Sequence, residues 1–539
     1  MTIMMDRRLL LQAGAFGLTA LATPGVAQLL GARGFTHGVA SGEPSARSVL
    51  LWTRHVGNGD SRLRCEMASD VAFTTIVAGG DVVASAQHDH CAKLTVDGLV
   101  PDRWYYYRFV APDGAISDIG RTRTLPDGDT PRFGIGLFSC SNMPFGWFNA
   151  YGHAAQRSDL DLMVHVGDYI YEYGPGIYPA KDVAGRSVLP ANEMVTLADY
   201  RLRHASYRAD PDLRRLHQSF PMLAQWDDHE LTNDAWKDGA ENHQPATEGD
   251  WAMRKAVAER VYREWMPVSD KRYDSYQIGS LATLFRPETR ITARDRQLDL
   301  EEAIAGRGDL AKAFADFRDG PWSAKDRTVM GAQQEAWLHA GLQQSVRSGT
   351  RWQILAQQIV IGTIRAPEAF DSWTADGASP QVRRAMMGMV AAARAGLPFN
   401  MDAWDGYPAA RDRLLSAAQA ADSNLVVLSG DSHNAWGNNL TNDGRAVGVE
   451  YAGHAVTSPG FETYLPAVAP ADFAKALRLA NPGLAYADTS RRGYVSLQLT
   501  PDRVRGEWHY VDTILTRSTA GVVSDGLDVR WGERRFSAG

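Results

Sequence analysis

The strongest constraint on the fold is a recurrence: short apolar runs that each stop at a residue able to bind a metal. The clearest case is residues 160–174, Leu-Asp-Leu-Met-Val-His-Val-Gly-Asp-Tyr-Ile-Tyr-Glu-Tyr-Gly. Leu162 to Val166 is an apolar run of the length and kind that forms a buried strand. It ends at Gly167-Asp168, which sets a carboxylate at the carboxyl edge of a sheet, where open α/β folds place their ligands. Tyr171 follows three residues on, close enough for its phenol to join Asp168 in an oxygen-rich nest for a hard, highly charged ion. Alone, the stretch also reads as a helix-capping Asp beside a buried aromatic turn. The rest of the chain decides between the two.

Three more apolar runs end the same way. Arg132 to Ser139 stops at Cys140-Ser-Asn142, and Pro221 to Trp226 stops at Asp227-Asp228-His229-Glu230. Asn424 to Gly430 stops at Asp431-Ser432-His433. Strand ends of a parallel-type sheet lie along one rim, so residues far apart in sequence can share a cleft. One polar residue after a strand is commonplace; four such endings, each with ligand chemistry, are not. Helical patterns at 148–157, 194–218, 331–345 and 385–395 alternate with these runs, which predicts α/β layering. Trp352 to Ile361 reads as a further strand and 493–515 as a closing hairpin. The charged segment 290–325 reads as solvated surface.

Residues 34–128 carry strand signals only. Ser48 to Arg54 includes a bulky core residue, Trp52. Gly79-Gly80 predicts a hairpin within Val71 to Ala86. Leu99-Val-Pro101 leads into the Tyr-rich strand Trp104 to Val110, similar to the tyrosine-corner region of fibronectin-III and immunoglobulin-like sandwiches. Leu125 to Pro131 is dense in Pro, Asp and Gly and reads as a linker. The 539 residues predict at least two domains, and a net charge of −7 gives no basic footprint for nucleic acid. An odd cysteine count, three, leaves at least one free thiol. Cys65 and Cys91 could pair in an oxidising compartment if the fold brings their Cα atoms close enough.

The amino terminus reads as an address. Arg7-Arg8, the apolar run Ala13 to Ala22 and the small-residue site Gly25-Val26-Ala27 make residues 1–27 a signal peptide of twin-arginine type. The run is too short for a stable membrane span, and no other stretch of about 18 apolar residues occurs. The expectation is a periplasmic or secreted protein with the twin-arginine machinery as its export partner and no transmembrane segment.

Taken together, the strand-end motifs resemble those of the calcineurin-like metallophosphoesterase superfamily. Gly167-Asp168 matches its Gly-Asp element, Asp228-His229-Glu230 stands for Asn-His-Glu, and Gly430-Asp-Ser-His433 stands for Gly-His-x-His. Cys140 replaces the first motif. These departures resemble one family, the PhoD-like (alkaline phosphatase D) phosphodiesterases. Gln225-Trp-Asp-Asp-His-Glu230, Leu355-Ala-Gln-Gln358, Asp405-Gly-Tyr-Pro408 and Gly38-Val-Ala-Ser-Gly-Glu-Pro44 carry the same resemblance. Pro287-Glu288-Thr289-Arg290 departs from the family's Leu-Asp-Thr-Arg and reads as scaffold.

The resemblance implies an α/β (α+β) metallophosphoesterase sandwich of two mixed sheets flanked by helices over 132–520. An all-β domain over 34–128 precedes it and a tail over 521–539 follows. It also implies a dinuclear Fe(III)/Ca centre that activates a hydroxide against phosphate mono- or diesters. Cys140, Asp168, Tyr171 and His433 would surround the ferric ion. Asp168 would bridge to calcium, held by Asp228 and Asp431 with Asn233 or Gln358; carboxylates suit that hard cation. Asp168 and His229 would be the catalytic residues, His229 contacting a phosphoryl oxygen or protonating the leaving alkoxide, a contribution of about 10²–10⁴-fold for a general acid. His165 reads as a core histidine; His37, His153 and His454 take no role; Trp226, Trp404 and Tyr407 read as core or cleft wall. Two alternatives stand beside this reading: a phospholipase-D-type activity on lipid headgroups, and an inactive surface binding protein. Loops at 175–205 and 295–325 would set specificity.

Overall fold

The computed structural model describes residues 31–373 and 380–537, so the expected signal over 1–27 lies outside the described residues. The chain opens with β1 (Gly34–Gly42), β2 (Val49–Val56), β3 (Ser61–Ala68), β4 (Ile76–Ala84), β5 (Cys91–Val96), β6 (Trp104–Val110) and β7 (Gly120–Arg123). After the linker come β8 (Phe133–Phe138), β9 (Leu162–His165), β10 (Pro221–Ala224), β11 (Asp274–Ile278), β12 (Ala282–Arg286) and β13 (Trp352–Ala356). The last are β14 (Leu425–Ser429), β15 (Ala435–Asn442), β16 (Arg445–Ala452), β17 (Leu484–Asp488), β18 (Gly493–Leu499), β19 (Arg503–Val511), β20 (Gly521–Val523) and β21 (Leu527–Arg530).

Two mixed sheets face each other. One runs β20-β19-β18-β8-β9-β10-β1-β2-β5 with β21 also on β19; the other runs β11-β12-β13-β14-β16-β15-β17. β8, β9 and β10 are parallel, as are β12, β13, β14 and β16. Ile135, Leu137, Val164 and Leu223 of the first sheet meet Ile354, Val426, Leu428 and Val449 of the second in a dry core. Helices cover the outer faces: Tyr151, Tyr207, Leu213 and Leu216 belong to the core on one, Leu338, Leu342, Leu414 and Leu415 to that on the other. Burial on both faces is why these strands read as unbroken apolar runs.

Several expectations change. The β module over 34–128 does not close on itself: β1 lies parallel to β10, with Ser41 opposite Pro221, so β1, β2 and β5 extend the large sheet. The sheet β4-β3-β6-β7 packs on that extension through Val49, Leu51, Leu63, Met67, Tyr107 and Phe109. The Tyr105 hydroxyl accepts the Val100 N–H at 2.9 Å, the local corner bond of such sandwiches. Gly79-Gly80 is not a hairpin; β4 runs straight through it against β3. Gly79 (φ +155°) is needed there because a Cβ would run into the Cys65 carbonyl. β13 stops at Ala356, and the apolar continuation Ile359–Ile361 is a buried turn. Segment 290–325 is not all surface, since the helix Leu310–Phe317 buries Phe314 and Phe317. The tail beyond 520 supplies β20 and β21 to the edge of the large sheet. Cys65 and Cys91 are buried free thiols.

Candidate metal centre

β8, β9, β10 and β14 deliver their ends to one point between the sheets. Cys140 N–H donates to the Gly167 carbonyl at 3.2 Å and Ser141 N–H to the Asp168 carbonyl at 2.9 Å, which ties the first two endings together. Gly430 presses onto the same spot: a Cβ there would stand 2.5 Å from Ser139 Cβ. Cys140, Asp168, Asp431 and His433 all hold left-handed backbone, φ +58°, +56°, +62° and +60°. Non-glycine residues in that region cost about 1–3 kcal/mol each and gather at functional sites.

Three overlapping donor sets result: Cys140, Asp168 and His433; Asp168, Asp228 and His229; Asp227, Asp228 and Asp431. Within each set one ligand atom per residue lies within 4.8 Å of the others. The Tyr171 hydroxyl joins the first set, 3.0 Å from Asp168 Oδ2 and 3.3 Å from His433 Nε2, and accepts the Ser458 hydroxyl at 2.7 Å. His433 Nδ1 donates to the Pro459 carbonyl at 2.9 Å, which fixes the tautomer and leaves Nε2 with its lone pair toward Tyr171 and Asp168.

The donor set fits cations and little else. Asp168 Oδ1, Asp227 Oδ2, Asp228 Oδ1 and Asp431 Oδ2 are buried without a hydrogen-bond partner. Burial lifts the Asp168 carboxyl well above the carboxylate range; Asp228, Glu230 and Asp431 add to the rise against His229. Burial, with Asp402 and against Arg290, raises Asp431 to about 6. Burial also pushes the Cys140 thiol and the Tyr171 phenol well up, with the Asp168 carboxylate adding to both. Neither ionises unaided, whereas a multivalent cation deprotonates a coordinating thiol and counters the carboxylates.

Asn233 and Gln358 stand differently. Gln358 donates to the Trp226 carbonyl and accepts from Thr289 Oγ1, both at 2.6 Å, so both ends of its amide are engaged with protein partners. Asn233 donates its backbone N–H to Glu172 and its Nδ2 to Glu241, contacts that hold the loop after Asp228. His165 is a core histidine whose Nε2 pairs with the Tyr151 hydroxyl at 2.8 Å. Trp226, Trp404 and Tyr407 are buried.

Two residues without a role in the sequence reading complete the site. Glu172, fully buried, accepts His229 Nδ1–H at 2.7 Å and is held by the Asn233 N–H and Asn242 Nδ2. Burial opposes a charge on His229, but Glu172, Asp228 and Asp168 outweigh it and raise the imidazole well above the usual histidine range. Arg290, fully buried, pairs with Asp227, with Asp402 at 2.6 Å, with Asp431 at 3.3 Å and with Asp228 at 3.7 Å. Glu288, where the sequence departs from the family pattern, gathers the N–H groups of Arg290, Ile291 and Thr292 on its carboxylate.

The family description "PhoD-like phosphatase" matches residues 133–508, and that of its N-terminal domain matches residues 20–126. The chain belongs to the PhoD-like phosphatase family. Alkaline phosphatase D of Bacillus subtilis (strain 168) is 33% identical over 500 residues, spanning 88% of this chain and 77% of that protein. A solved structure of PhoD superposes with a TM-score of 0.75 at 28% identity, covering 94% of this chain and 92% of that one. The purple acid phosphatase PPD1 from yellow lupin seeds shares the fold, with a TM-score of 0.54 at 12% identity over 92% and 74% of the two chains. This PhoD-like protein is a phosphoric ester hydrolase; the inactive binding-protein reading is set aside.

Proposed function

We propose that this PhoD-like phosphatase is an exported hydrolase of phosphate mono- or diesters that works with two cations. Ferric iron would be held by Cys140, Asp168, Tyr171 and His433, and calcium by Asp168, Asp228 and Asp431 with Asn233. Thiolate and phenolate suit a trivalent ion, and a carboxylate-rich set suits calcium. The observation that carries the reading is the convergence of unpartnered, buried carboxylate oxygens at the ends of β9, β10 and β14. When bound, the two cations would neutralise the phosphoryl oxygens and lower the pKa of the attacking water.

The protein's own part is orientation and proton transfer. Glu172 fixes the His229 ring through Nδ1, which leaves Nε2–H to donate to the oxygen of the departing alcohol as the phosphorus–oxygen bond breaks. Asp168 belongs to two of the three donor sets, so it would bridge them. An aromatic wall adjoins the imidazole: Tyr171 lies 4.1 Å from the His229 ring centroid, Tyr173 5.7 Å, and Tyr178 meets Tyr171, Tyr173 and Phe145. That wall suits an ester whose alcohol is bulky and apolar, so diesters are the first substrates to assay. Export rests on Arg7-Arg8 and the small-residue site ending at Ala27. Among the described residues no helix is long and apolar enough to cross a membrane. Residues 132–520 would be the working unit and 34–128 its buttress.

Metal analysis of the mature protein, with its visible spectrum, tests the centre. Phenolate or thiolate on ferric iron gives charge-transfer colour; a colourless, iron-free and fully active preparation would overturn the iron assignment. Asp168→Ala is expected to abolish hydrolysis of bis-p-nitrophenyl phosphate while the protein stays folded, and retained turnover would overturn the site. Comparing that substrate with phosphatidylcholine separates the phosphatase reading from the phospholipase-D-type one.

A further inference from the structure

Away from the metal cluster, the seam between β1, β2 and the helices Leu197–Arg208 and Trp251–Trp265 buries an unusual group of side chains. Arg208 is fully buried. Among the described residues its one side-chain hydrogen bond is a long contact, 3.5 Å, from Nη1 to the Tyr169 hydroxyl, and Nε and Nη2 have no partner. Its guanidinium lies 4.4 Å over the Trp52 ring. Trp265 Nε1 is also buried without a partner, as are both ring nitrogens of His204, while His37 is hydrogen-bonded to the Ala205 backbone. Trp265 is the hub of the group: it stands 5.0 Å from His37, 6.1 Å from Trp52 and 6.3 Å from His204. His204 and Arg208 lie one helical turn apart on the same face.

The chemistry of Arg208 and Trp265 is one-sided. Arg and Trp side chains donate hydrogen bonds and cannot accept them. A buried charge is tolerated only when paired, and a buried donor without an acceptor costs about 1–3 kcal/mol. The neighbouring cations are already matched: Arg54 pairs with Asp89, Arg214 with Asp118, and Arg203 holds backbone carbonyls. Arg208 is the one left with cation–π contact and a distant phenol.

We propose that Arg208, Trp265 and His204 form a buried binding site for one monovalent anion, chloride in an ordinary saline medium. One unmatched guanidinium calls for one negative charge. Burial, helped by Arg208, lowers His204 to about 3, so its imidazole is neutral with one N–H to donate, and a dianion would be left half uncompensated. The site is wired to the hydrolytic centre. Tyr169 contacts Arg208, pairs with His217 Nε2 at 2.9 Å, donates its N–H to Glu230 at 2.6 Å, and directly follows Asp168. An anion here would join the N-terminal sheet to the loop that carries Asp168.

Two measurements on the full chain test this. Crystals grown in sodium bromide are expected to show an anomalous peak at hydrogen-bond distance from Arg208 Nε or Nη2. The melting temperature is expected to rise by a few degrees and saturate with chloride, but not with gluconate at the same ionic strength. Trp265→Phe removes one N–H together with part of the ring, and is expected to raise the chloride midpoint about tenfold, the size of one charge-assisted hydrogen bond; Arg208→Met is expected to abolish the chloride effect. No bromide peak at Arg208, or a chloride response unchanged in Trp265→Phe, would overturn the proposal and leave water as the occupant.

Discussion

His229 can act on a leaving group only if its ring is held, and Glu172 is what holds it. Glu172→Gln keeps the shape and removes the charge. Loss of such a partner behind an active-site imidazole costs about 10–100-fold in activity. The expectation is a kcat reduced by that factor with KM little changed, read in steady-state assays with bis-p-nitrophenyl phosphate. Arg290 belongs to the same scale. Removing one side of a buried ion-pair group costs about 3–5 kcal/mol, so Arg290→Met should lower stability by that amount in denaturant unfolding, with Arg290→Lys recovering part of it. Protons report on the carboxylates. Asp431 sits at about 6 without a cation because burial disfavours its charge; a bound cation favours the ionised form. Cation binding near pH 6 should therefore release protons, seen as a heat that varies with the ionisation enthalpy of the buffer. Cys140, Asp168, Asp228, Asp431 and His433 were legible because each closes or directly follows an apolar run. Glu172 and Arg290 were not: each sits within a loop and meets its partners only across the fold, where no local pattern marks the contact.

At the scale of elements, the strand ends are packed without slack. A methyl on Gly430 would stand 2.5 Å from Ser139 Cβ, and both backbones are fixed by their sheets. Gly430→Ala should cost about 1–3 kcal/mol, the usual penalty for overpacking. It should also spread Cys140 away from Asp431, lowering metal content together with the melting temperature. Strands buried on both faces announced themselves in the sequence as unbroken apolar runs. The same signal overran at Ile359–Ile361, because a buried turn and a buried strand have the same composition. It misled at Gly79-Gly80, where glycine answers a close approach between strands and not a reversal of direction.

For the whole molecule, the decisive fact is that one sheet runs through both β units. Sequence reading separated 34–128 from the rest because a Pro- and Gly-rich linker divides them, and nothing in a linker reveals that β1 pairs with β10. Deleting 34–128 would bare the edge of β10 and strip Trp52 and Ala40 from the core beneath the helices. An exposed edge of this kind invites aggregation, so the truncated chain is expected to be recovered mainly as insoluble protein, checked by fractionating lysates of the two forms.

The pairing of β18 with β8 carries one more implication. The strand that leads to Cys140 gains its neighbour on that side only after Gly493–Leu499 has left the ribosome. A nascent chain stalled earlier holds thiol and carboxylates on an open sheet, with no shell to choose between ions. Cation selection thus waits until β18 is in place, and whichever compartment completes the fold sets which ions it meets first.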